Sequence, residues 1–203
     1  MRTIRWIAWS LVVLVAGLTV AVLVSTDIRD SLLGRPGTGS GVAAIGGAFT
    51  MVDHTGKPVS DQDFVGKPSV YFFGFTHCPD VCPTSLYEIS TMMEDLGPEA
   101  DKLNVSFVTV DPERDTAQVM SDYISPFDNR IVGLTGSTEQ VADMTKAFRV
   151  FSRRVNLDDG DYTMDHTATI YLMDAEGAFA GTIAYGEDTE TALGKLRNLI
   201  ARS

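Results

Sequence analysis

From Trp6 to Val24 the chain runs for 19 residues without a charged side chain. Coiled as a helix at about 1.5 Å per residue, such a run reaches across most of the apolar layer of a bilayer, which is about 30 Å thick. It therefore reads as a membrane segment and fixes the fate of everything after it. A cleaved secretory leader is the main rival, but its apolar core would span roughly 7–15 residues and end at a small-x-small site. Neither condition is well met here. Arg2 and Arg5 precede the run and the next basic residue is Arg29, so the positive-inside tendency places the amino terminus in the cytoplasm and the rest outside. A mitochondrial presequence would put a longer Arg- and Ser-rich stretch ahead of the anchor. The expectation is a single-pass protein of a bacterial inner membrane with a periplasmic domain.

Residues 1–30 are thus expected to form the anchor. Residues 31–47 hold the stretch Gly34-Arg35-Pro36-Gly37-Thr38-Gly39-Ser40-Gly41 and the later pair Gly46-Gly47, a composition that reads as a flexible tether. Residues 48–203 are long enough to bury one substantial core. Removing the first 30 residues takes away three Arg and two Asp and leaves 13 basic against 25 acidic residues, a net charge of −12. Nucleic acid is not the partner such a surface selects.

Within the outer segment, strand-like and helix-like apolar patterns alternate, the mark of an α/β layer fold. Phe49–Asp53 and Val59 flank the turn His54-Thr55-Gly56-Lys57 and predict an amino-terminal hairpin. Ser69–Phe75 is nearly continuous in apolar and aromatic side chains, as a central strand covered on both faces requires. Pro83 suits the first position of a helix whose Leu86, Ile89, Met93 and Leu96 share a face, with Gly97-Pro98 ending it. Val105–Val110 reads as a second core strand, and Asp115 or Thr116 can cap a short helix running towards Tyr123. Ile131–Leu134 reads as a third strand, and Ser137 with Gln140 as a capping box ahead of Val141, Met144 and Phe148. Thr167–Met173 and Ala178–Ile183 predict a terminal hairpin, with Leu193, Leu196 and Ile200 on the last helix. This order resembles a thioredoxin-like fold with an amino-terminal β-hairpin and an inserted strand and helix.

The only two cysteines, Cys78 and Cys82, fall between the central strand and the helix start. At a helix amino end, unpaired N–H groups and the macrodipole favour negative charge, so a thiol there ionises readily. Such a pair can bind a soft cation or cycle between dithiol and disulfide. A merely stabilising disulfide would close too short a loop to constrain the unfolded chain much. Structural zinc usually takes four ligands, more than this chain readily supplies. Disulfide oxidoreductases of this fold use Cys-x-x-Cys, whereas three residues intervene here. Their dithiol also faces a cis-proline, and the last proline of this chain is Pro126. The approach to the predicted strand carries Asp165-His166 instead. Two thiolates and a neutral imidazole suit Cu(I) in a trigonal arrangement, or Cu(II) with a further weak ligand, and affinity should weaken as pH falls.

Three stretches resemble the signatures of the Sco/SenC family: Gly74-Phe75-Thr76-His77-Cys78-Pro79-Asp80-Val81-Cys82-Pro83, Val110-Asp111-Pro112-Glu113-Arg114-Asp115-Thr116 and Asp165-His166-Thr167. The resemblance implies a copper-binding protein of thioredoxin fold that helps metallate the binuclear copper (CuA) site of cytochrome c oxidase subunit II. It implies Cys78, Cys82 and His166 as metal ligands, either delivering copper or reducing that site's cysteines. Another external copper carrier or a thioredoxin-like reductant would then be a further partner.

Other candidates are weighed on their chemistry. His77 adjoins a ligand but leaves the chain on the opposite side from Cys78 if strand geometry continues. His54 sits in a predicted turn and reads as solvated. Met164 can approach copper as a soft ligand, although gap-filling is the commoner role of methionine. Asp111 and Asp165 are candidates to orient a ligand, while Glu113, Arg114 and Asp115 read as a solvated, capped turn. A thiol-disulfide reductase using Cys78 and Cys82 as a redox pair is the alternative function. A peroxidase lacks its usual Pro-x-x-x-Thr-x-x-Cys approach, and a transmembrane sensor has only about five cytoplasmic residues to signal with.

Overall fold

The computed structural model describes residues 45–202, together with Trp6 and Trp9. Apart from those two tryptophans, the predicted anchor lies outside the described residues, as does most of the tether. Among the described residues, no helix is long and apolar enough to cross a membrane. The fold below belongs to the unit Ala44–Ser203.

The central strand forms where the apolar run predicts it: β3, Ser69–Gly74, is buried at every position. It pairs in parallel with β4, Asn104–Thr109, in register from Ser69↔Asn104 to Gly74↔Thr109. β4 in turn pairs in parallel with β5, Ile131–Thr135. On the other side β3 meets β8, Ile170–Met173, antiparallel, and β8 continues antiparallel into β9, Phe179–Ile183. The predicted opening hairpin, β1 Thr50–Asp53 and β2 Pro58–Ser60, extends the sheet by pairing β1 with β5, giving the order β2-β1-β5-β4-β3-β8-β9.

Among the described residues, four α-helices cover this sheet: α1 Val81–Leu96, α2 Ala117–Ile124, α3 Thr138–Ala147 and α4 Thr189–Ala201. The apolar positions predicted for α1 are all buried, and α1 packs against α4. Ser137 and Gln140 cap α3 reciprocally, Gln140 N–H donating to the Ser137 hydroxyl at 3.2 Å and Ser137 N–H donating to Gln140 Oε1 at 2.8 Å. Thr116, rather than Asp115, caps α2 by accepting from Val119 N–H. An aromatic cluster welds the core, with Phe148 in contact with Phe49, Tyr71, Phe73 and Tyr171 at centroid distances of 5.0–6.4 Å. Each such buried ring contributes on the order of 2 kcal/mol.

Three expectations need correction. Helix α1 starts at Val81, two residues before Pro83. Proline is tolerated at the third helical position because no N–H of the first turn has an intrahelical partner. Between Phe148 and Thr167, where no strand is predicted, a separate two-stranded sheet stands: β6 Ser152–Asn156 pairs antiparallel with β7 Tyr162–His166. Consequently the strand expected from Thr167 begins only at Ile170, and His166 closes β7.

Candidate metal centre

The carboxyl ends of β3 and β4 and the end of β7 converge on one place, in keeping with the rule that sites form beyond the carboxyl ends of parallel strands. Beyond β3 the chain turns through Thr76–Asp80, with Cys78 N–H donating to the Phe75 carbonyl at 3.2 Å. Because α1 begins at Val81, Cys82 occupies the second helical position, where its N–H is free to point outward. That N–H donates to Cys78 Sγ at 3.4 Å. Cys78 is half-buried, Cys82 fully buried, and both are free thiols.

His166 enters from the second sheet. Its Nε2 lies 3.6 Å from Cys82 Sγ, and its Nδ1 sits 3.0 Å from the Thr167 carbonyl. A carbonyl only accepts, so Nδ1 carries the proton and Nε2 presents its lone pair to the sulfurs. This imidazole meets the Phe75 ring in a T-shaped contact, centroids 5.7 Å apart at 87°. One ligand atom from each of Cys78, Cys82 and His166 lies within 4.8 Å of the others. The three residues named from sequence are therefore brought together as one cluster.

The dithiol shares a proton unequally. A hydrogen bond from the Cys82 thiol, reinforced by backbone N–H groups, holds the Cys78 pKa far below that of a free thiol. The same bond, with burial, pushes Cys82 strongly upward. The half-exposed sulfur is the thiolate and the buried one keeps the proton. Two thiolates after that proton leaves, plus a neutral imidazole, form a soft three-coordinate set that fits Cu(I).

Space for Cys82 depends on Gly74. A Cβ at that position would lie 2.5 Å from Cys82 Sγ and 2.7 Å from Phe107 Cε2. Sequence inspection did not single out this glycine, and its place at the end of a bulky aromatic strand was the available signal.

The remaining candidates are distributed differently. His77 is exposed and its Nδ1 meets the Thr76 hydroxyl at 3.1 Å. His54 is half-buried rather than solvated, its Nδ1 accepting from Gly133 N–H at 3.2 Å. Asp165 pairs with Arg153 at 2.7 Å on the surface, so the Thr167 carbonyl, and not that carboxylate, orients His166. Met164 is partly buried against the core. The expectation of a solvated Glu113-Arg114-Asp115 turn holds for Glu113 alone. Asp115 is fully buried and accepts from Thr76 N–H (3.1 Å), the Thr76 hydroxyl (2.6 Å) and the Thr109 hydroxyl (2.5 Å). It staples the metal loop to the end of β4. Burial raises its pKa against those hydrogen bonds. Asp111 is also buried and is taken by Arg114 and Tyr162 rather than by a ligand.

These elements define a thioredoxin-like domain with a Cys-Cys-His metal group at the end of its central strand. The SCO1/SenC family profile matches residues 37–201, and the chain belongs to that family. It is 48% identical to Bradyrhizobium japonicum ScoI, solved with copper bound, with a TM-score of 0.73 over 77% of this chain and 99% of that one. Yeast Sco1 with copper bound is 34% identical, with a TM-score of 0.73 over 79% of this chain and 90% of that one. The Schizosaccharomyces pombe protein sco1 is 43% identical over 80% of this chain and 62% of its own length. Against its first curated relatives the chain spans about half to two thirds of their length.

Proposed function

We propose that this protein carries copper on Cys78, Cys82 and His166 and passes it to the binuclear copper (CuA) site of cytochrome c oxidase subunit II. The observation that carries the reading is the convergence of two sulfurs and an imidazole nitrogen within 4.8 Å, with the imidazole proton held on the far nitrogen by Thr167. Copper is cargo here. Two buried or half-buried ligands hold it, and the half-exposed Cys78 offers the sulfur at which an incoming thiolate of the partner can share the ion before it leaves. The oxidase partner rests on the resemblance of the three signature stretches. An anchor at residues 6–24 and a tether at 31–47 would keep the domain at the periplasmic face of a bacterial inner membrane, where the oxidase copper site is assembled.

A second reading is favoured by the unequal proton sharing. A thiolate at Cys78 backed by a buried thiol at Cys82 suits a thiol-disulfide reductase that keeps the oxidase cysteines reduced. Copper titration of the reduced full chain, wild type and His166→Ala, with absorption and electron paramagnetic resonance spectra at each addition, tests the first reading. One copper per chain with sulfur charge-transfer bands, lost in the variant, is the expected outcome. Absence of high-affinity copper in the wild type would overturn it and leave the reductase.

A further inference from the structure

Cys78 and Cys82 follow β3 directly, in its loop and on α1, whereas His166 comes from the second sheet. It ends β7, in a two-stranded sheet that makes no ladder with the seven-stranded one, and an isolated hairpin of this size is marginal in water. Something must hold it against the metal loop. At its base, Thr167 N–H donates to the Phe151 carbonyl and Phe151 N–H to the Thr167 hydroxyl, both at 3.0 Å, which closes the hairpin on itself. Met164 packs on the core midway along β7, and the hydrogen bonds that tie the hairpin to the rest of the domain, apart from that of His166 itself, gather toward the other end, at Arg154, Asp161 and Tyr162.

The Tyr162 hydroxyl donates to Asp111 Oδ1 at 2.9 Å. Arg114 Nε donates to Asp111 Oδ2 at 2.5 Å, and Arg114 Nη1 donates to the Tyr162 carbonyl at 3.0 Å. The Arg114 guanidinium lies 3.7 Å from the Tyr162 ring centroid and Arg154 lies 3.6 Å from the same centroid. Two guanidiniums at that distance cannot share a face, so the ring is sandwiched between cations. Arg114 Nη2 is buried without a hydrogen-bond partner, and the faces of Tyr162 and, at 5.9 Å, Phe75 are the electron-rich surfaces beside it. Phe75 also meets the His166 ring. Tyr162 and His166 are four residues apart on one strand, so their side chains share a face roughly 13 Å apart.

From this geometry we infer that Tyr162, gripped by Asp111 and Arg114, is a positioning residue that sets where His166 meets the two sulfurs. The inference rests on the copper reading above and goes beyond it in assigning the placement of the imidazole to a clamp outside the ligand set. Coupling is mechanical: the short β7 strand links clamp and ligand as a stiff element, and Phe75 touches both.

The test uses the full chain as Tyr162→Leu and Tyr162→Phe, with His166→Ala as the reference. Loss of the ring should weaken copper binding about 10- to 100-fold, the usual cost of removing support from a ligating histidine. It should also alter the nitrogen splitting in the Cu(II) resonance spectrum. Phe keeps the ring between the cations and should restore affinity to within about fivefold, since only one hydrogen bond is gone. His166→Ala, which takes no high-affinity copper, marks complete loss. Wild-type affinity and nitrogen splitting in a folded Tyr162→Leu protein overturn the clamp. A second readout needs no metal: the ¹⁵N-labelled His166 ring gives one sharp signal in wild type and a shifted or broadened one in Tyr162→Leu, and an unmoved signal overturns the inference. If the wild type takes no copper, the reading under Proposed function falls while the ring signal still decides the clamp. Should Tyr162→Leu fail to fold by circular dichroism, Tyr162→Phe and Arg114→Lys, which loses the planar fork, carry the same measurements.

Discussion

Replacing Gly74 with Ala adds one methyl group, and its effect can be worked out from the surroundings. The new Cβ would stand 2.5 Å from Cys82 Sγ and 2.7 Å from Phe107 Cε2, where nonbonded contacts settle near 3.5–4.0 Å. Something has to retreat by about 1 Å. Phe107 is fully buried, stacked on Phe72 at 5.9 Å and on Tyr123 at 5.6 Å, so it yields poorly. Cys82 is the side chain with a metal loop on its far side. Overpacking of this kind costs about 1–3 kcal/mol of stability. The displaced sulfur would also fall outside the roughly 0.2 Å tolerance of a metal–ligand bond, and the copper affinity should drop at least about tenfold, or about 1.4 kcal/mol.

A control separates the two effects. Gly133→Ala also crowds a buried glycine, meeting His54 Cβ and Met120 Cβ at 3.3 Å, but involves no ligand. Denaturant unfolding and copper competition on wild type, Gly74→Ala and Gly133→Ala should show both variants destabilised and only Gly74→Ala impaired in copper. Adding Phe107→Leu to Gly74→Ala should recover stability without recovering affinity. Wild-type copper affinity in a folded Gly74→Ala protein would refute the reasoning.

Three further outcomes are expected. Asp115→Ala strands the Thr76 N–H and two hydroxyls in the interior and should cost about 3 kcal/mol in chemical denaturation; Asp115→Asn should cost less, because burial already disfavours the charge. Asp128, whose pKa the Arg130 side chain lowers, contributes stability above the unfolded carboxyl pKa of about 4 that is lost as pH falls through its lower folded value. The pair is partly exposed, so Asp128→Asn should remove about 1 kcal/mol at neutral pH and flatten that acid limb in urea melts. Metal affinity in wild type should rise with pH by about tenfold per unit around neutrality, since loading expels the proton held on Cys82, and a flat profile in competition titrations would contradict the shared-proton dithiol.

Much of this was readable before any coordinates, and the exceptions share a cause. β3, α1 and the α3 cap announce themselves because burial imposes a period or a fixed spacing on the residues. Cys78, Cys82 and His166 were visible because soft ligands are scarce in this chain. The β6–β7 hairpin was missed because Ser152-Arg153-Arg154-Val155-Asn156 and Tyr162-Thr163-Met164-Asp165-His166 are exposed or half-exposed throughout and no apolar alternation marks them. Arg114 and Asp115 looked solvated for a related reason. Charged side chains satisfied by partners distant in sequence, as Arg114 is by Tyr162 and Asp115 by Thr76, carry no local sign of their burial.

The difference in exposure between the two thiols finally separates delivery from reduction. In a reductase, the Cys78 thiolate would attack a partner disulfide, forming a mixed disulfide and releasing one partner thiolate. Cys82, losing its proton, would then attack Cys78 Sγ, releasing the second partner thiolate and leaving Cys78–Cys82 oxidised. His166 is needed in neither transfer. Cys82→Ser should therefore accumulate a mixed disulfide with an oxidised CuA-domain substrate, and Cys78→Ser, which leaves only a buried protonated thiol, should form none. In delivery all three ligands matter and no mixed disulfide need form. A protein in which His166→Ala abolishes metallation of the reduced partner while disulfide reduction proceeds unchanged carries copper as its task. If His166→Ala instead leaves assembly intact and Cys82→Ser traps the partner, the same geometry serves electron rather than metal transfer.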